Sequence, residues 1–243
     1  DEKETDWSDL KPDYQNMDKW FEPTAIIELA KLKTAILKTS NLRIQKLFLS
    51  IFSHIIVNIS NQDSDTRYSC KPEEYSAGSA IKSWQRKVKP FISHIAEVIS
   101  SSHVNQQSKT SHIVHTADSK KLSNIGDNSV GLIVTSPPYM NAYDYHKYHR
   151  HRIQWIGGDV ELARDKEIGK HDTYSRPGAN PIDFIDNLEV CMLEWFRVLK
   201  PNSCAVVVIG DSIVEGRFVS VGLMTINRAL SLGFDLKFHG AVR

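Results

Sequence analysis

Residues Thr135-Ser136-Pro137-Pro138-Tyr139 follow directly on the apolar run Gly131-Leu132-Ile133-Val134. Each proline fixes its own φ, donates no backbone hydrogen bond and restricts the residue before it. The stretch therefore reads as a strand ending in a stiff turn that presents a hydroxyl, fixed carbonyls and an aromatic ring. Such a turn serves either as a rigid strand exit or as the preorganised wall of a pocket. Just past it, Tyr143, Tyr145, His146, Tyr148, His149, Arg150, His151 and Arg152 crowd aromatic and basic groups together. Aromatic faces with local positive charge suit stacking and phosphate contact, while a solvated helix face accounts for most of them equally well. His146, His149 and His151 raise the question of zinc. No cysteine or acidic partner stands at ligand spacing, so no metal is expected. Upstream, Asp118 closes the run His112-Ile113-Val114-His115-Thr116-Ala117. There it either contacts a ligand or serves as a turn or cap residue.

These residues need elements to position them. HIVHTAD, GLIVTSPPY, CAVVVIGD and LKFHGAVR are strand-like runs. A helical segment from Phe184 to Leu199, closed by Lys200-Pro201-Asn202, separates the second from the third. Another, from Val221 to Leu232, precedes Gly233, an expected C-cap. Strands alternating with helices predict a parallel α/β sheet, whose ligands bind at the carboxyl ends of its strands. Asp118, Ser136 to Tyr139 and Gly210-Asp211 all stand at such ends.

The first half has a different character. Residues 1–22 form an acidic arm with Trp7, Tyr14, Trp20 and Phe21 as anchors. A helix is expected from Glu22 to Lys38, and a second after a cap at Ser40 or Asn41, with Leu47, Phe48, Ile51, Phe52, Ile55 and Ile56 apolar. Asn61 to Gly78 is polar and breaker-rich, hence a loop. A third helix starts near Ser79 with Ile81, Trp84, Val88, Phe91, Ile95 and Val98 inward, and Pro90 should kink or break it. Its Lys82, Arg86, Lys87 and Lys89 read as a solvated basic face. Ser100 to Thr110 is a polar linker. The expected division is an arm and helical region at 1–110 and an α/β region at 111–243.

Lys and Arg number 30 against 29 Asp and Glu, so any footprint for a polyanion must be local. Cys70, Cys191 and Cys204 form no CxxC pair and read as free thiols of a reducing compartment. The most apolar stretch, Leu42 to Ile59, is interrupted by Arg43, Gln45, Lys46, His54 and Asn58. It reads as a packed helix and not a membrane span, so no membrane partner is expected, and the expected location is cytoplasmic, in keeping with the free thiols.

A strand ending in Ser136-Pro137-Pro138-Tyr139 resembles the [DNS]-P-P-[YF] catalytic motif of DNA amino-methyltransferases, and TSPPY is most similar to the cytosine-N4 type. HTADSKKL, NAYDYHKYHRHRIQWIG, EWFRVLKPNSCAVVVIGDS, LSLGFDLKFHGAVR, WFEPTAIIELAKL and the SDTRYS loop extend the resemblance over most of the chain. It implies a Rossmann-like methyltransferase sheet, present in part, with a mostly helical N-terminal region. It further implies S-adenosyl-L-methionine as cofactor, DNA as partner, base flipping and a restriction-modification setting. Carried onto this sequence, Ser136, Pro137, Pro138 and Tyr139 are catalytic, Asp118 and Thr135 contact the cofactor, and Tyr143, Tyr145, His146, His149 and Arg150 contact the substrate. An exocyclic amine is a poor nucleophile because its lone pair is delocalised into the ring. Fixed acceptors for its hydrogens restore that lone pair, and Tyr139 would stack on a base taken out of the helix. Adenine-N6 transfer shares this chemistry, and a noncatalytic DNA-binding or scaffold subunit is the alternative of another class.

The sequence departs from the family in one respect. These enzymes carry a glycine-rich cofactor loop resembling FxGxG, yet among the 12 glycines here no two are separated by a single residue. That loop is expected from a segment upstream of Asp1 or from a second polypeptide.

Overall fold

The structure, a computed structural model, describes residues 7–101 and 111–240. A 3-10 turn (Trp7–Leu10) is followed by α1 (Met17–Trp20), α2 (Pro23–Leu37), α3 (Leu42–Ile59), β1 (Gln62–Ser64), β2 (Arg67–Cys70) and α4 (Ser79–Ser101). Then come β3 (Val130–Thr135), α5 (Tyr145–Tyr148), α6 (Arg150–Trp155), α7 (Val160–Lys166), α8 (His171–Tyr174) and α9 (Pro181–Val198). The series ends with β4 (Leu199–Val207), β5 (Ser212–Val214), β6 (Arg217–Val219) and α10 (Val221–Ser231). The chain divides into two compact units, residues 1–110 with 145–165 and residues 111–144 with 166–243. A boundary thus falls at residue 110, where composition changes, but the aromatic and basic stretch from Tyr145 onward folds with the helical unit.

In the first unit Pro23 opens α2 at a position where its missing N–H has no intrahelical partner to lose. Asn41 caps α3, its Oδ1 accepting from the amides of Arg43 and Ile44 at 3.0 and 3.2 Å. Leu29, Ala30 and Ile36 of α2 meet Phe52, Ile55 and Ile56 of α3, with Trp20, Phe21 and Trp155, in one buried cluster. The α3 helix is long and apolar enough to cross a membrane by length and composition alone, with mean hydropathy 1.3. Its Phe52, Ile55 and Ile56 are nevertheless fully buried in this core. Glu28 on α2 caps the start of α4. Its carboxylate accepts from the Tyr75 hydroxyl at 2.6 Å and from the amides of Gly78 and Ala80. Burial pushes this carboxyl up, but those hydrogen bonds outweigh it and hold it below the usual carboxylate range.

Two expectations for this unit are corrected. Asn61 to Gly78 is not all loop, because β1 and β2 pair antiparallel within it. Their polar composition hides the pairing. Pro90 does not end the third helix, which runs unbroken from Ser79 to Ser101. Of the residues expected inward, Val88 is buried, whereas Ile81, Phe91 and Ile95 are exposed. The proline falls where the helix leaves the core, so water can satisfy the carbonyl it frees. The side chain of Val98, and residues 102–110 of the expected linker, lie outside the described residues.

In the second unit β3 and β4 pair in parallel, joined through α9. Asn180 caps α9 by accepting from Ile182 N at 3.1 Å, with Pro181 at the first helical position. Phe184, Ile185, Leu188, Met192 and Trp195 bury one face of α9, and Ile133, Val207 and Ile209 pack against that cluster. Arg228 ties α10 to α9 by pairing with Asp186 and Glu189. The expected stop at Gly233 holds. With φ at 95°, it lets Phe234 N bond Ala229 O and its own N bond Leu230 O, the paired closure of a Schellman motif. Arg197 on α9 clamps the segment before β3, donating to Asp127, Glu194 and the carbonyls of Leu122 and Ile125. Glu194 is thereby held down to about 2, first by Arg197 and then by the Leu122 amide.

The result is a mixed helix and sheet protein with small sheets; among the described residues each sheet has two strands. Two strand expectations are corrected. His112 to Asp118 forms only an isolated bridge from Asp118 to Lys121, and the described part of the last run, Leu236 to Gly240, is not a strand. Alternating hydrophobicity becomes a strand only where a ladder partner exists, and neither run has one among the described residues. Leu132, Val134, Val206 and Val208 are exposed, so only one face of the β3–β4 pair is covered, although parallel strands ordinarily bury both.

Candidate functional site at the Ser136–Tyr139 turn

The β3–β4 ladder runs one bond beyond the Thr135–Val207 pair, with Val208 N donating to Thr135 O at 2.9 Å. The Ser136–Tyr139 turn therefore leaves the sheet at the carboxyl ends of two parallel strands, beside Ile209-Gly210. Pro137 is buried and Pro138 half-buried, while Ser136 is exposed. Tyr139 is 37% exposed. Its ring lies on the bare backbone of Gly210, where an added Cβ would stand 3.4 Å from Tyr139 Cδ2. Ser136 Oγ points to the Tyr139 phenolic oxygen at a long 3.4 Å. Hydroxyl and ring thus share one small surface, held by a backbone that the prolines stiffen.

The chain beyond the turn is fastened at several points. Asn141 adopts a left-handed conformation with φ 60°, tolerable for asparagine. Its amide donates to Gly169 O at 3.0 Å, and its side chain donates to Ile213 O at 2.7 Å. Ser212 Oγ donates to Met140 O at 2.9 Å, and Asp144 Oδ1 accepts from Asp172 N at 3.0 Å. Gly169 makes this possible. Its φ is +81°, and a Cβ there would stand 3.0 Å from Phe184 Cε2 and 3.4 Å from Met140 Cα. Gly169→Ala is expected to destabilise the second unit by about 1–2 kcal/mol through left-handed strain alone. Urea unfolding followed by circular dichroism measures it; a wild-type midpoint would mean that the loop repacks.

The structure brings Ser136, Pro137, Pro138 and Tyr139 together with Gly210, and places the 37%-exposed Tyr143 in the same unit. Tyr145, His146, His149 and Arg150 belong instead to the helical unit. There His146 is buried, His149 Nδ1 meets Arg152 Nη1 at 3.1 Å, and Arg150 stands half-buried near Tyr14 and Tyr68. Arg152 anchors the segment by donating to Ser53 O and Asp65. Asp118 is an exposed turn residue whose Oδ1 accepts from Lys120 N at 2.9 Å and whose carbonyl accepts from Lys121 N at 2.9 Å. Thr135 contributes its backbone to the ladder. No cluster of metal-ligating side chains occurs among the described residues.

Sequence reasoning placed Gly210 at a strand end but not under the Tyr139 ring, and it missed Asn141, Gly169 and the β5–β6 hairpin that follows Asp211. A signal for the hairpin was present: Glu215-Gly216 between the apolar pairs Ile213-Val214 and Phe218-Val219. Asp211 turns out to cap α10, its Oδ1 accepting from Gly222 N at 3.0 Å. No family model, curated protein or solved structure matches the chain.

Proposed function

We propose that this chain is the catalytic part of a cytoplasmic DNA methyltransferase that moves a methyl group from S-adenosyl-L-methionine to the exocyclic N4 of cytosine, in a restriction-modification setting. In this reading β3 and β4 belong to a Rossmann-like sheet, and α9 lies on the connection between them. The observation that carries it is the placement of Ser136-Pro137-Pro138-Tyr139 at the carboxyl end of a parallel strand, with the Tyr139 ring half-exposed over Gly210. The Ser136 hydroxyl and the adjacent carbonyls accept the amine hydrogens, and Tyr139 stacks on the extruded base. Serine is too weak a base to remove a proton first, so the surplus proton leaves to water after transfer.

The residues present do not by themselves make a cradle for the cofactor. Asp118 Oδ1 is engaged in its own turn, and no glycine pair at single-residue spacing occurs in the chain. A further segment or subunit bearing a glycine-rich loop completes the site in this reading. The test is to incubate the chain with DNA and labelled S-adenosyl-L-methionine, together with any polypeptide that copurifies with it, and to digest the DNA to nucleosides. N4-methylcytosine in the digest supports the reading. N6-methyladenine would move the specificity to adenine, and no labelled base would leave a noncatalytic DNA-binding role.

A further inference from the structure

We infer that the β5–β6 hairpin is a wedge that stacks into duplex DNA beside the target base, through Ile213 and Phe218. This rests on the DNA methyltransferase reading and adds a substrate-contacting element to it. Ile213 and Phe218 are direct cross-strand partners, flanked by the pairs Ser212–Val219 and Val214–Arg217. Side chains alternate across a strand, so the Ile213–Phe218 pair occupies one face and its flanking pairs the other. Along β5 burial follows that alternation. Val214 is 4% exposed, whereas Ile213 is 63% and Phe218 71% exposed.

An apolar pair presented this openly needs a rigid support, and the hairpin has one. Its two-residue loop is Glu215-Gly216, with φ of 51° and 73°, both positive as the tight type I′ hairpin turn requires. Glu215 tolerates its left-handed backbone while its carboxylate accepts from Gly178 N. The base of the hairpin is bonded to the candidate catalytic loop. Asn141 donates to Ile213 O and Ser212 donates to Met140 O, and Gly210, just before the hairpin, carries the Tyr139 ring. The apolar pair and the stacking tyrosine therefore belong to one hydrogen-bonded assembly.

Two side chains are far too little for a stable protein interface, which buries about 800 Å² on each partner. They match the apolar wedges, commonly Phe and Ile, that proteins insert between base steps. Arg217, next to the hairpin loop, is exposed as well. Extruding a base costs unstacking energy, which an apolar pair stacked beside the vacancy offsets.

The test is photocrosslinking of the chain to a random-sequence duplex containing 5-iodouracil, with the linked peptides mapped by mass spectrometry. A crosslink at Phe218 is expected, and Ile213→Ala with Phe218→Ala should weaken duplex binding roughly tenfold to a hundredfold, the range for lost base stacking. Both residues are exposed, so circular dichroism of the variant should match that of wild type. Duplex binding with crosslinks only elsewhere and unchanged affinity of the variant overturns the wedge and leaves the methyltransferase reading standing. Absence of duplex binding by the wild-type chain, both alone and with the segment or subunit that completes the site, overturns both. An oligomer that dissociates on Phe218→Asp, with no crosslink, reassigns the pair to a protein contact and overturns the wedge.

Discussion

Ser136→Ala is expected to lower methyl transfer roughly 100- to 1,000-fold, the range for removing one preorganised hydrogen-bonding group at a reacting centre. The hydroxyl is exposed at a strand end, and its intramolecular contact, to the Tyr139 phenol, is long at 3.4 Å. It is therefore available to a substrate amine, and its removal leaves no buried group without a partner. Folding should be unaffected, so a loss of rate reports on chemistry. Tyr139 separates two further contributions. Tyr139→Ala removes the ring that lies on Gly210 and should cost about tenfold to a hundredfold through lost stacking. Tyr139→Phe keeps the ring and should stay within a few-fold of wild type. The measurement is single-turnover transfer of labelled methyl to DNA, with the glycine-rich segment or subunit of the proposed enzyme supplied. Wild-type rates for both Ser136→Ala and Tyr139→Ala would remove the turn from the mechanism. A deficit in Tyr139→Phe as large as in Tyr139→Ala would assign the effect to the phenol instead of the ring.

What the sequence made legible follows the range of the interactions involved. The Asn41 cap and the Gly233 stop were readable because each is a local affair of a few residues and one backbone conformation. The stiff turn at Ser136 to Tyr139 was readable because proline acts on its own dihedral whatever surrounds it. The runs at His112 to Asp118 and at Leu236 onward have the alternation of strands, but pairing is set by distant chain, and alternation cannot supply a partner. The Tyr143 to Arg152 stretch was read as one cluster because it is contiguous, yet the boundary between units falls at 144/145 and separates Tyr143 from the rest. Gly210 was legible as a strand end but not as the seat of a ring, and Gly169 could not be singled out in advance. Their role is to leave room for Tyr139 and Phe184, which lie far from them in sequence.

Acid should loosen the helical unit through His151, and a His151→Gln variant should be less sensitive to it. His151 is 0% exposed. Its ring is enclosed by Tyr14, Trp20, Phe21 and Tyr68 at centroid distances of 4.9 to 5.9 Å. Nδ1 bonds the Tyr14 hydroxyl at 2.9 Å, and Nε2 is buried without a hydrogen-bond partner. Tyr14, Tyr68 and Arg150 lie around it, and none of the three is an anion that would welcome an imidazolium. Burial of the ring, followed by the Arg150 charge, pushes His151 down to about 4 from 6.5. The folded state therefore resists a proton that the unfolded chain accepts. Stability is complete above about pH 6.5, falls as the pH drops toward 4, and loses nothing more from this group below that. The drop in pKa corresponds to about 3 kcal/mol. Urea unfolding of wild type and His151→Gln, followed by tryptophan fluorescence at pH 7 and pH 4, isolates this contribution from the carboxylates, which both proteins share. Wild type should lose about 3 kcal/mol more than the variant. Parallel losses would mean that the ring takes up its proton in place, with water reaching Nε2 through an opening of the aromatic enclosure.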